Sequence, residues 1–172
     1  MLREFVIREA RKEEFEKLGQ LMVSVYLNLE GFPNQDEQPK YYEMLANIGQ
    51  LTEKPDTKLL VAVTEDEVIG GVVYFSDMAQ YGSGGIATRE KNASGFRLLA
   101  VDPDARGMGV GKALAKKCIE LAKERKQRQV IIHTTNAMKI AWRMYEKLGF
   151  ERSQDLDFMQ GKLQVFGFRL EF

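Results

Sequence analysis

With a single cysteine, a single histidine and no surplus of either charge in its 172 residues, the chain loses several classes of function at once. Cys118 alone cannot build an internal disulfide framework, and one Cys with one His cannot form a Cys/His metal cluster. Twenty-five basic residues balance twenty-five acidic ones, so nothing draws the chain as a whole to nucleic acid or to an anionic membrane. No apolar run approaches the ~20 residues that cross a bilayer. The N-terminus, MLREFVIREA, carries charges inside its apolar segment and lacks a signal-peptide layout. What is present is ordinary globular chemistry, 44% hydrophobic and 29% charged, in a length that buries a real core as one domain. The expectation is a soluble, cytoplasmic, single-domain protein over residues 1–172, with no metal, nucleic-acid or membrane partner, and either monomeric or homodimeric.

Hydrophobic periodicity orders the chain. Residues 4–10 read as a strand. A helix follows, with Phe15, Leu18, Leu21, Met22, Val25, Tyr26 and Leu29 at helical spacing. GFPNQDEQPK is a loop, and KYYEMLANIGQL a second helix interrupted by Gly49. The β-branched runs 58–64 and 68–77, separated by EDE, form a hairpin. The glycine-rich stretch AQYGSGGIATREKNAS is long for a connection, so it is either functional or holds structure of its own. Then come a strand at 95–101, a helix from Gly109, a strand at 129–134, a helix in AMKIAWRMYEKLGF and a closing hairpin that turns near Gln160 and Gly161. This order predicts an α/β fold: a mixed, mostly antiparallel sheet of about seven strands with helices on both faces.

The chemistry concentrates in DPDARGMGVGKAL, at a strand-to-helix turn. It is not a P-loop. The position five before Gly111 is Arg106, and Ala113 replaces the metal-binding hydroxyl. Nor does it fit the dinucleotide fingerprint, because counting from Gly107 or Gly109 the last position is Lys112 or Leu114. What remains is R-x-x-G-x-G: Arg106, Gly109 and Gly111. The first amides of a helix lack internal partners and favour an anion. Glycines remove the side chains that would hold a pyrophosphate away. Taken alone, such a turn serves tight packing as readily as ligand binding.

The context narrows it. LLAVDPDARGMGVGKAL, followed by a strand and then AWRMYEKLGF, resembles the GCN5-related N-acetyltransferase (GNAT) family, with both signatures between residues 95 and 150. The resemblance implies a sheet with a splayed pair of central strands and an acetyl-CoA cosubstrate. Its pyrophosphate would lie on the amides from Arg106 through Gly107, Met108, Gly109, Val110, Gly111 and Lys112. The backbone of Leu99, Ala100 and Val101 would pair with the pantetheine arm. An amide near Leu99 or Ala100 would polarise the thioester and stabilise the oxyanion. Tyr145 falls on the family's tyrosine, the general acid for the departing thiolate; a phenol of pKa about 10 donates to a thiolate of about 8.5 only modestly, so position counts as much as acidity. Many members carry Asn seven residues before that tyrosine. Here the position is Met138, which would pack on the cofactor, while Asn136 is two residues out of register.

The family has no fixed general base. Asp77 and Glu90 flank the glycine-rich stretch, and His133 lies on the strand after the cofactor helix. The acceptor would be a small-molecule or peptide amine, received by the first helix pair, the 76–94 loop and the last hairpin. Within residues 26–57, Glu30, Asp36, Glu37, Glu43, Glu53 and Asp56 outnumber Lys40 and Lys54. That bias suits a cationic amine between Tyr26, Phe32, Tyr41 or Tyr42, and a solvated surface explains it equally. A non-catalytic acyl-CoA-binding sensor would share the glycine loop and differ at Tyr145 and the acceptor cleft.

Overall fold

A computed structural model of the chain describes residues 4–65 and 67–172. One sheet of eight strands runs through it: β1 (Val6–Glu9), β2 (Thr57–Thr64), β3 (Glu67–Phe75), β4 (Ala93–Val101), β5 (Gln129–Thr134), β6 (Glu151–Arg152), β7 (Phe158–Gln160) and β8 (Leu163–Glu171). Their order across the sheet is β1-β2-β3-β4-β5-β8-β6, with β7 also paired to β8. All pairings are antiparallel except β4 with β5. The sequence pattern yields about seven strands; β6 is the addition, and two residues are too few to carry a period.

Four helices cover the two faces. α1 (Phe15–Leu27) and α2 (Pro39–Ala46) pack on one side, through Leu18, Met22, Tyr26, Tyr42 and Leu45. α3 (Val110–Glu124) and α4 (Lys139–Lys147) cover the other, through Val110, Leu114, Cys118, Ala122 and Tyr145. The expected second helix is shorter than its pattern, since after Ala46 the chain tightens into a 3-10 turn over Ile48–Glu53. Gly49 lies in that turn, where any Cβ would overlap the Phe15 ring. The glycine-rich stretch does hold structure: two 3-10 turns, Met78–Gln80 and Ala87–Arg89, and the first residues of β4. Gly149 ends α4 at φ +103, and Gly161 turns the last hairpin at φ +62, conformations that glycine adopts without a Cβ clash. Among the described residues no helix is long and apolar enough to cross a membrane.

Candidate active site

The parallel pair β4 and β5 is joined only from Ala93 to Gly95 and from Gln129 to Ile131. Beyond those residues β4 stays with β3 as far as Val101, while β5 stays with β8 as far as Thr134. The sheet therefore forks, and the backbone edge of β4 beyond Gly95 has no strand beside it. A bulge lies at the fork. Between the pairs Gly71–Ala100 and Val73–Arg97 the register slips by one residue, and Leu98 takes φ +63. A leucine in that region costs about 1 kcal/mol or more. The bulge changes which way the strand faces: Leu98 and Ala100 pack under α1 and α2, whereas Leu99 and Val101 lie against the α3 and α4 side.

The glycine turn stands next to this edge. The amides of Gly107, Gly109, Val110, Gly111 and Lys112 have no acceptor among the described residues, and Arg106 and Lys112 are exposed beside them. Gly107 (φ +86) and Gly109 (φ +80) need their lack of a side chain for the turn itself, since a Cβ at either would meet open space. Gly111 differs. A Cβ there would make ordinary contacts of 3.6 to 3.9 Å with Val101, Met144 and Leu99, so protein packing does not demand glycine. The room it leaves continues from the amide cradle to the side chains of Leu99 and Val101. Met108 packs against the α3 side of the core, and Met138 caps α4 and packs toward the α1 side.

Three phenols converge on the fork from both faces. Tyr26 of α1 donates its hydroxyl to the Leu99 carbonyl at 3.1 Å. Tyr81 packs over Gly95, where a Cβ would lie 2.6 Å from its ring, and its hydroxyl is 3.0 Å from His133 Nδ1. Tyr145 comes from α4, wedged edge-on between Phe96 and Phe150, and its hydroxyl has no partner among the described residues. Burial raises all three pKa values, and Tyr145 lies near enough to act electrostatically with both Tyr26 and Tyr81. Burial likewise pushes the Tyr41 phenol up to about 12. All four phenols are neutral at physiological pH. The hydroxyls of Thr134 and Thr135, at the end of β5, are buried with no partner among the described residues. Orphaned groups of this kind mark a place that a polar ligand or water fills.

His133 is held as a neutral ring. Nε2 sits 2.8 Å from the Leu156 carbonyl and must donate, so Nδ1 accepts from Tyr81. Burial, with Arg97 nearby, lowers its pKa to about 4. The two carboxylates named by the sequence lie elsewhere. Asp77 caps a 3-10 turn through Ala79 N at 2.9 Å, and Glu90 is ion-paired to Arg169 at 2.8 Å. The groups acting on Tyr26, Tyr81, His133 and Tyr145 are other phenols, Cys118, Arg97 and Asp157, and Asp157 is bound to Arg152 at 2.8 Å. Cys118 is fully buried with its thiol pKa raised, a packing residue. The carboxylates of residues 26–57, Glu30, Asp36, Glu37, Glu43, Glu53 and Asp56, are all exposed. Among the described residues no three His, Cys, Asp or Glu converge on a metal site.

Arg97, Tyr81, Thr134 and Thr135 were not legible as site residues. Each sits within an ordinary strand or loop pattern, and only the fork and its bulge bring them together.

The amide cradle can hold a phosphate or pyrophosphate, and the free edge of β4 can pair with an extended chain that leads into the fork. Solved proteins of the same fold are numerous. N-acetylaspartate synthetase of Xenopus tropicalis is 33% identical over 98 residues, 57% of this chain and 32% of that protein. The chain spans about a third of the length of the curated relatives it matches. An acetyltransferase of the GNAT family from Staphylococcus aureus superposes with a TM-score of 0.74 at 20% identity, covering 98% of this chain and 99% of its own. The PaiA N-acetyltransferase of Thermoplasma acidophilum, solved with coenzyme A, does so at 0.70 and 17% identity over 95% and 98%. Residues 22–150 match the acetyltransferase (GNAT) family. The chain belongs to that family.

Proposed function

We propose that the protein transfers an acetyl group from acetyl-CoA directly to the amine of a small molecule or peptide. The observation that carries this reading is the continuity of three features: the unpaired amides of residues 107 and 109–112, the free edge of β4, and the Tyr145 hydroxyl at the fork. The residues present fit the cosubstrate. The cradle offers donors and two cations to a pyrophosphate. Leu99, Ala100 and Val101 offer a strand edge to the amides of pantetheine, and Thr134 and Thr135 have hydroxyls to spare. The related enzyme solved with coenzyme A supports the same ligand.

Acetyl-CoA supplies an acetyl thioester. In the transfer a C–N bond forms, the C–S bond breaks, the amine gives up one proton and the sulfur takes one. A backbone amide at the Leu98 bulge, from Leu99 or Ala100, faces the carbonyl oxygen as charge builds there. Tyr145 holds its proton toward the sulfur. With its pKa raised by burial it is a weak free acid, so it acts as a fixed hydrogen-bond donor that completes transfer as the negative charge develops. Among the described residues the histidine at the fork is no strong base, because His133 is neutral with its lone pair engaged. The acceptor therefore enters as the free amine, with its proton lost to water.

The test is thermal shift with acetyl-CoA, CoA, ATP and NAD, followed by thiol release across a panel of amines. Stabilisation by CoA and acetyl-CoA, with acceptor-dependent thiol release, is expected. No response to CoA would overturn the reading, and stabilisation without turnover on any amine would favour a non-catalytic acyl-CoA sensor.

A further inference from the structure

Four arginines among the described residues are half-buried: Arg8, Arg97, Arg152 and Arg169. Three of them grip carboxylates at 2.8 Å, Arg8 on Glu14, Arg152 on Asp157 and Arg169 on Glu90. This is the usual condition for a guanidinium withdrawn from water. Arg97 is the exception. It projects from β4 one residue before the bulge, and its single hydrogen bond is to the Tyr81 carbonyl at 2.9 Å. Among the described residues its remaining N–H groups have no acceptor and it has no carboxylate partner. The packing of Tyr81 beneath it, 5.7 Å from ring centre to guanidinium, holds it in place.

A second cation joins it. An ideal Cβ on Gly82 would lie 3.3 Å from an Arg97 guanidinium nitrogen and 3.7 Å from Lys54 Nζ. Lys54 also has no carboxylate partner among the described residues. Two unneutralised cations therefore meet at one glycine. Gly82 has φ +73 and adds no side chain between them. Tyr81, which holds Arg97, belongs to the core on the α1 and α2 side, and Arg97 acts electrostatically on Tyr26, Tyr41, Tyr81 and His133. Tyr26 and Tyr81 are in turn coupled to Tyr145 across the fork. The Arg97 guanidinium meets the Tyr81 carbonyl, and the Tyr81 ring packs on Gly95, the last residue of β4 that pairs with β5, so the pair of cations stands beside the fork.

Resting on the acetyltransferase reading, we infer that Arg97 and Lys54 form an anion subsite, and that the acceptor is a small amine that also carries a carboxylate. The planar guanidinium fork matches a carboxylate in two-point contact. Lys54 adds a point charge from the other side. The amine of the same molecule then points toward the fork. The wall that faces the acceptor is thus cationic, and the acidic surface of residues 26–57 has no part in recognition.

The experiment compares an α-amino acid, its carboxamide and the corresponding decarboxylated amine as acceptors, by thiol release from acetyl-CoA with the full chain. The carboxylate form should be used at least about tenfold better by kcat/KM, the size of one charged hydrogen bond. Arg97→Gln and, separately, Lys54→Gln should each raise its KM by about tenfold, with the KM for acetyl-CoA unmoved. Lys54 is exposed, so its variant reports even if the Arg97 variant folds poorly. Equal use of the three forms or unchanged discrimination in Lys54→Gln would overturn the subsite, and preference for a phosphate-bearing amine would overturn the carboxylate as its ligand. A panel of carboxylate amines that neither turns over nor raises the melting temperature of the CoA-bound protein would do the same. Failure to bind CoA, by contrast, is failure of the acetyltransferase reading.

Discussion

Tyr145 shows how little of a residue's role its own chemistry decides. On the sequence it is one member of an apolar helical stripe with Met138, Ala141 and Trp142. In the fold its ring is locked between Phe96 and Phe150, and its hydroxyl lacks a partner among the described residues. Tyr145→Phe should therefore leave the melting temperature unchanged within error, since no buried partner is left unsatisfied. Turnover should fall about 10- to 100-fold, with the KM for acetyl-CoA within about twofold of wild type. Steady-state kinetics beside a thermal melt separates these outcomes, and undiminished turnover would remove Tyr145 from the chemistry. The raised pKa adds a second signature. The phenol stays protonated above its ordinary value of 10.0, so wild-type kcat should show no decline between pH 8 and pH 10 in a buffered rate profile. A titration there would mean that Tyr145 is more exposed than the fold places it.

At the scale of the element, the turn from Arg106 to Lys112 works through its backbone. Its donors belong to the first turn of α3, and glycine is required at 107 and 109 by positive φ rather than by crowding. This makes Gly109→Asp an informative change. Aspartate tolerates the left-handed region better than most residues, and its carboxylate can cap the free amides of α3. The melting temperature should shift by only a few degrees in either direction. Coenzyme A, competing with that carboxylate for the same donors, should bind at least about tenfold more weakly by calorimetry. Unaltered CoA affinity would place the pyrophosphate elsewhere. The bulge in β4 is a counterpart with the opposite legibility. GFRLLAV reads as one uninterrupted strand, and nothing in its apolar pattern marks Leu98 as the residue that turns the strand over.

Over the whole molecule, the buried neutral groups at the fork make stability depend on pH from both sides. His133 has its pKa lowered from 6.5 to about 4. Its contribution is fully present above pH 6.5 and is lost as pH falls through about 4, where the unfolded chain takes up the proton first. The depression corresponds to roughly 3 kcal/mol at most. Urea denaturation should show wild type losing stability between pH 6.5 and 4.5, and His133→Gln losing distinctly less. The phenols of Tyr26, Tyr41, Tyr81 and Tyr145 are raised. Their contribution is present below pH 10 and lost above it.

The family, the order of elements and the anion cradle were legible without coordinates, because each rests on contiguous residues. A helix stripe repeats along a short segment, and an amide donates wherever its own turn points it. The glycines at 107 and 109 carry that geometry in their identity. The face that would receive the acceptor is of another kind. Lys54, Tyr81, Arg97, His133 and Tyr145 come from five separate segments, and a single-residue slip in β4 decides which side chains turn toward α1. Composition leaves the carboxylates of residues 26–57 open to a cationic acceptor or to a solvated surface, and they are exposed, whereas an arginine with no carboxylate partner among the described residues, Arg97, is visible only in the fold. Local backbone geometry is written residue by residue. The meeting of distant side chains, and which of them lacks a partner, is settled only when non-local strand pairing closes the sheet.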